Sequence, residues 1–216
     1  MLVRELMTSS PITITPDVSV PDALILMHEK KIRRLPVVDA HGKLVGIVSE
    51  KDLLYASPSP ATSLSIWEIK ELLSKVKVES VMKRKIISAT EDTPAEEAAR
   101  LMADKKIGSL PVLQGEKLVG FITDTDLFNA FLGMLGGRRP GVRVTAFTSG
   151  AKGTVAKITS AIYGLGGDIV GLGFNEVTNV ANIGWQITFK VQDVPMATLV
   201  ETIRPLVIEI LDAREV

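Results

Sequence analysis

Cysteine is absent from this chain, so it can hold no disulfide, no thiolate nucleophile and no zinc–thiolate site. A reducing compartment is the expectation that follows. Histidine is scarce: His28 sits in a helical pattern and His41 in a hairpin turn, and neither has a ligand cluster or nucleophile beside it in sequence. An excess of either charge is also lacking, with 25 Lys and Arg against 25 Asp and Glu. That balance gives no reason to expect nucleic acid or an anionic membrane as partner, and no basic helix argues otherwise. A local basic cluster for a small anion remains compatible with it. No apolar run approaches the roughly 20 residues that span a bilayer. The opening stretch, MLVRELMTSSP, lacks the apolar core of a signal peptide. The expectation is a cytoplasmic protein.

What is present is apolar material, 46% of 216 residues, enough for a substantial core. It is arranged in an internal repeat. Residues 3–54 align with residues 78–128 at an offset of 75, falling to 74 near Gly115. Met7 matches Met82, and Leu26-Met27 matches Leu101-Met102. Lys30-Lys31-Ile32 returns as Lys105-Lys106-Ile107, Leu35-Pro36-Val37 as Leu110-Pro111-Val112, and Lys43-Leu44-Val45-Gly46 as Lys117-Leu118-Val119-Gly120. Each copy ends in a hydroxyl and a carboxylate three apart, Ser49 with Asp52 and Thr123 with Asp126.

Each copy reads as a short strand (Ile12 to Ile14, Ile86-Ile87), a helix and a hairpin. The helices, Val18 to Lys30 and Pro94 to Lys105, carry apolar residues at helical spacing, and Pro94 suits a first helical turn. In the first copy the hairpin runs Leu35 to Val38 and Leu44 to Val48 around His41-Gly42. Ser49 then opens a further helix through Leu54. One unit of about 50 residues cannot bury its own sheet face, whereas two packed face to face can, leaving two related clefts. Between the copies lie residues 57–77, with Pro58 and Pro60 and then an amphipathic stretch from Leu64 to Val76 that includes Trp67, Leu72 and Leu73. It reads as a packed connector or as a partner-binding helix.

The repeated pattern of strand, helix, I-x-x-L-P-V and G-h-h-[ST]-x-x-D resembles the CBS domain, which occurs in pairs called Bateman modules. The resemblance covers residues 1–132. It implies a regulatory module whose ligands contain adenosine: AMP, ADP, ATP, S-adenosylmethionine or NAD. It places an adenine slot at Met7, Ile12 and Ile32 in one copy and at Met82, Ile87 and Ile107 in the other. On that reading Asp52 or Asp126 accepts from the two ribose hydroxyls, and Ser49 or Thr123 adds a bond to ribose or phosphate. Lys30, Lys31, Arg33 and Arg34, or Lys105 and Lys106, supply cations for phosphate. The same hydroxyl and acid pairs are also helix N-terminal signatures. The two readings are compatible, because a capping hydroxyl has spare lone pairs. Arg33-Arg34 of the first copy is replaced by Gly108-Ser109 in the second, so equivalent clefts are not expected.

After Phe131 the glycines and Pro140 mark a boundary. Residues 142–216 then read as strand (Val142 to Thr148), tight loop (Ser149 to Gly153), helix (Thr154 to Leu165), strands (Ile169 to Phe174 and Ile183 to Val191), helix (Pro195 to Arg204) and strand (Val207 to Leu211). This βαββαβ order is that of a ferredoxin-like sandwich. It resembles the ACT domain, which binds small effectors near its first loop and pairs through sheet edges; here Ser149 stands where an acidic residue is often found. The expected class is α/β, in the α+β sense: CBS repeat 1 at 1–56, linker 57–77, CBS repeat 2 at 78–132, linker 133–141 and an ACT-like domain at 142–216. That layout resembles AcuB-like proteins, associated with acetoin utilisation. It implies a homodimer, a second effector and a regulated enzyme as partners.

No catalytic set emerges from the sequence. Gly171-Leu172-Gly173 falls within a strand and so is no dinucleotide loop, and Glu96-Glu97 faces a helix exterior. The expected role is a regulatory sensor for an adenosine-containing ligand. A structural adaptor and a weak nucleotide hydrolase are the alternatives.

Overall fold

The computed structural model describes residues 1–56, 74–178 and 183–216. The chain forms two compact units, Met1–Leu127 and Phe128–Val216. Most of the amphipathic stretch at 64–76, including Trp67, Leu72 and Leu73, lies outside the described residues.

In the first unit, α1 (Val3–Leu6) leads to β1 (Thr8–Ser9), α2 (Val20–Lys30), β2 (Arg34–Val38), β3 (Leu44–Ser49) and α3 (Glu50–Tyr55). The second repeat supplies a 3-10 turn (Val78–Ser80), α4 (Ala95–Lys105), β4 (Ser109–Gln114), β5 (Lys117–Thr123) and α5 (Asp124–Met134), whose span contains the boundary between the units. Ser19 caps α2 by accepting from the Asp22 amide at 3.3 Å, satisfying one of the donors that a helix start leaves open. Helix spacing buries Val20, Ala23 and Met27 on α2 and Ala95, Ala98 and Met102 on α4. They pack with hairpin residues such as Leu35, Val37, Val48, Leu110, Val112 and Ile122, all fully buried.

Three local expectations are corrected. Ile12 to Ile14 and Ile86-Ile87 are not strands; single parallel bridges join Ile14 to Val37 and Ala89 to Val112 instead. The real early strand is β1, which pairs antiparallel with β5 of the other repeat, Thr8 opposite Phe121. By the same symmetry Lys83 bridges Ile47 of β3. The first segment of each repeat therefore completes the hairpin of its sibling. Pro94 is not inside the first turn of α4 but its extended N-cap residue, because the fixed proline φ also suits extended backbone.

The second unit is a four-stranded antiparallel sheet in the order β7 (Asp168–Thr178), β8 (Ile183–Gln192), β6 (Val142–Thr148), β9 (Glu209–Glu215). Helices α6 (Thr154–Gly164) and α7 (Met196–Ile203) bury Ile158, Ile162, Leu199 and Ile203 against Val144, Ala146, Ile187 and Phe189. The order is the expected βαββαβ. The last strand starts two residues later than expected, because a 3-10 turn, Arg204–Leu206, extends α7. The stretch after α5 is held by its own sheet: the buried Lys190 ammonium donates to the Gly136 and Arg139 carbonyls, both at 2.9 Å, and the Gln192 amide donates to Pro140 at 2.8 Å.

Candidate functional site

Two clefts open in the first unit, and each is built from both repeats. The first cleft is lined by Thr8, Pro11, Ile12, Lys31, Ile32, Arg33 and Arg34 of repeat one with Phe121, Thr123, Asp124, Thr125 and Asp126 of repeat two. The second joins Lys83, Lys85, Ile86, Ile87, Lys106, Ile107 and Ser109 of repeat two to Ile47, Ser49, Glu50, Lys51 and Asp52 of repeat one. Arg33 and Arg34 line this cleft too. The hydroxyl–carboxylate pair of one repeat thus faces the isoleucines of the other. The volumes, about 330 and 500 Å³, fall in the roughly 300–1,000 Å³ range of small-ligand sites.

The crossing of the repeats explains the pairing. β1 lies antiparallel beside β5 with Thr8 opposite Phe121, two residues short of Thr123, and after the left-handed Ser10 (φ 52°) Pro11 and Ile12 line the same cleft as Thr123 and Asp126. The lysines are placed by an unusual backbone. Lys31 (φ 54°) and Lys106 (φ 52°) each end a helix in the left-handed conformation, which commonly stops a helix and is usually held by glycine. Here it turns the chain so that Lys31-Ile32 and Lys106-Ile107 reach the clefts. Lys30 and Lys105, the last residues of α2 and α4, do not line them.

Met7 and Met82 are not brought into the clefts either. Each lies over a glycine of the opposite hairpin: a Cβ at Gly120 would overlap the Met7 sulfur, and one at Gly46 the Met82 sulfur. Met82 is buried in the core and Met7 half-buried. The remaining sequence candidates, Ile12, Lys31, Ile32, Arg34, Thr123 and Asp126 on one side and Ser49, Asp52, Ile87, Lys106 and Ile107 on the other, do line clefts.

Both carboxylates are helix caps. Asp52 Oδ2 accepts from the Ser49 amide at 3.0 Å and hydroxyl at 2.5 Å, while the Asp52 amide donates back to Ser49 Oγ at 3.2 Å. Asp126 Oδ2 accepts likewise from the Thr123 amide at 2.8 Å and hydroxyl at 2.7 Å. The second oxygens differ. Asp52 Oδ1 is 3.1 Å from Lys83 Nζ, whereas Asp126 Oδ1 has no partner among the described residues. Burial raises the Asp52 pKa, but the Ser49 hydrogen bonds and the Lys83 ammonium outweigh it and hold the carboxyl below the ordinary carboxylate value. A carboxylate held on one oxygen and open on the other, as at Asp126, is anchored and able to accept from vicinal hydroxyls.

Lys83 and Lys85 were not singled out in the sequence, although a signal was there. The segment Lys83-Arg84-Lys85 stands in the second repeat where the first has Thr8-Ser9-Ser10. Comparing the repeats for charge, and not only for matches, finds it. Among the described residues no group of three or more His, Asp or Glu could hold a metal ion, and no helix is long and apolar enough to cross a membrane.

Comparison with known proteins adds to this geometry. A family model described as the CBS domain matches residues 3–59 and 78–133. The CBS domain pair of protein MJ0100, solved with 5′-methylthioadenosine and S-adenosyl-L-methionine, is 30% identical with a TM-score of 0.52, covering 64% of this chain and 98% of that one. A putative acetoin utilization protein (AcuB) from Vibrio cholerae is 35% identical with a TM-score of 0.51, over 60% of this chain and 89% of that one. CBSX2 in complex with AMP is 35% identical with a TM-score of 0.51, over 61% and 96%.

Proposed function

Because this chain belongs to the CBS-domain family, with two CBS domains in tandem, we propose that it is a regulatory sensor binding an adenosine-containing ligand between its repeats, and not an enzyme. One observation carries the reading. In each cleft a hydroxyl–carboxylate pair of one repeat faces isoleucines and a left-handed lysine of the other. The isoleucines suit an adenine ring, the carboxylate a ribose diol and the lysine a phosphate. Similar CBS pairs solved with AMP or with S-adenosyl-L-methionine support the ligand class.

The second unit is read as an ACT-like domain. Its antiparallel βαββαβ sheet with both helices on one face supports that. It would take a second small effector at the Ser149–Gly153 loop or pair through a sheet edge, giving a homodimer. A role in acetoin utilisation, through an enzyme that the sensor regulates, belongs to the same reading; its one motive is the likeness of 60% of this chain to a putative acetoin utilization protein.

The test is thermal unfolding and calorimetry of the whole chain against adenosine, AMP, ADP, ATP, S-adenosylmethionine and amino acids. A ligand at 100 times its Kd stabilises by about 2.7 kcal/mol. No response to any adenosine compound would leave a structural adaptor. Steady turnover of ATP by pure protein would establish a hydrolase.

A further inference from the structure

The two clefts are related by the repeat but not by charge. The first is lined by three cations and two carboxylates, net +1, and the second by six cations and two carboxylates, net +4. The difference lies in three lysines. Lys83 and Lys85 stand where repeat one has Thr8 and Ser10, and Lys51 stands where repeat two has Thr125. All three are exposed at the rim of the second cleft, where an ammonium reaches a ligand without first losing its water.

Of the remaining cations, Lys31 and Lys106 correspond, one in each cleft, and the arginines are shared. Arg33 and Arg34 line the two alike. The Arg34 guanidinium lies over Gly108, where any side chain would overlap it, and its NH2 stands 3.8 Å from Asp124 of the first cleft. In repeat two the equivalent positions are Gly108 and Ser109, so no second arginine pair exists to serve the other side. A phosphate chain that draws on Arg33 and Arg34 from one cleft leaves the other with Lys31 facing Asp124 and Asp126.

Building on the adenosine reading above, we propose that the clefts are sorted by charge. The one with Lys51, Lys83, Lys85 and Lys106 is the site for a polyphosphate nucleotide. The one with Ile12 and Asp126 takes an adenosine compound bearing one phosphate or none. Asp126 suits that task, because its Oδ1 is uncommitted and can take the ribose diol with no ion pair to break, whereas Asp52 is already paired with Lys83.

Calorimetry on the full chain tests this with ATP, adenosine and inorganic tripolyphosphate as probes. ATP is expected to fill one strong site, with any second equivalent bound at least about tenfold more weakly, since charge-assisted contacts of this kind are each worth about a tenfold step or more. In the Lys51→Ala/Lys85→Ala variant ATP affinity falls about tenfold or more. Adenosine titrated into ATP-saturated protein finds a second site, which Asp126→Asn weakens. Tripolyphosphate displaces ATP in proportion to its own binding. The preference for ATP shrinks as salt rises, because the rim lysines are exposed to screening. Two equal ATP sites, or an ATP affinity within about twofold of wild type in the lysine variant, would overturn the proposal. If tripolyphosphate binds and the lysine variant loses it, while neither ATP nor adenosine binds more tightly than tripolyphosphate, the charge sorting stands and the adenosine reading fails. If neither tripolyphosphate nor ATP binds, the sorting fails as well.

Discussion

At the scale of single residues, the two helix-capping carboxylates join stability to binding. Asp126→Asn keeps an oxygen to cap α5 but removes the charge facing the cleft. It is expected to lower affinity for an adenosine ligand roughly ten- to a hundredfold, about 1.5–3 kcal/mol, as read by calorimetry, with a small change in melting temperature. Asp52 also carries a pH signature. Its pKa is depressed in the folded chain, so the native state stabilises the ionised form. That contribution is complete above the unfolded value of about 4 and is lost as pH falls through the depressed folded value. A denaturation series from pH 6 to pH 2 on wild type and Asp52→Asn should converge in acid and separate above about pH 4. The left-handed lysines pull the other way. A non-glycine residue there costs about 1 kcal/mol. Lys31→Gly is expected to raise stability by about 0.5–1 kcal/mol in thermal melts while weakening phosphate-bearing ligands in the first cleft. A gain in stability with no loss of binding would remove Lys31 from the site.

At the scale of elements, the crossing of the repeats depends on two methionines laid over two glycines. Gly120→Val fills the space that Met7 occupies, and overpacking of this kind costs about 1–3 kcal/mol. Met7→Ala in the same chain should recover part of that loss, because contacting sites are not additive. Equal costs for the single and double variants in urea unfolding would mean that the side chains do not compete. The helices and hairpins were legible in the sequence from spacing and repetition, since Val20, Ala23 and Met27 lie on one helical face and Leu35 to Val48 folds about a polar turn. β1 was not. Thr8-Ser9 has no local signal, and it is a strand only because β5 of the other repeat lies alongside, a contact that periodicity does not encode. The same gap hid the cleft composition. Ile12 and Asp126 were each legible, but that they face one another follows from the crossing. Lys190 was hidden for a different reason. It falls in an alternating strand where a lysine reads as solvated, yet it is buried because the 136–139 segment folds over its ammonium and supplies two carbonyls to it.

At the scale of the whole molecule, α5 begins at a proposed ribose contact and its span includes the boundary between the two units. The glycines that follow would make a slack joint if they were free, but the Gly136 and Arg139 carbonyls are held by Lys190. Ligand bound at Asp126 is therefore expected to change hydrogen exchange in residues 142–178 and 183–216, with a coupling of about 1–3 kcal/mol that must be reciprocal. Lys190→Ala should reduce that response without abolishing nucleotide binding. If exchange in the second unit ignores saturating nucleotide in the wild type, the units act independently. The proposed homodimer is checked by light scattering: a mass near the chain's 23.3 kDa at micromolar concentration would exclude it.

The pairing of β1 with β5 also sets a clock. Thr8 meets Phe121, 113 positions later in the chain (121 minus 8). At about 5–20 residues per second of synthesis, the first strand waits roughly 6–23 seconds on the ribosome before its partner is made. Lys83 reaches Ile47 much sooner, so one half of the crossing can close while the other is still being translated. During that interval its own second hairpin does not yet exist, and the hairpin within reach is that of a neighbouring nascent chain further along the same message. The crossing that closes one polypeptide can equally be shared between two.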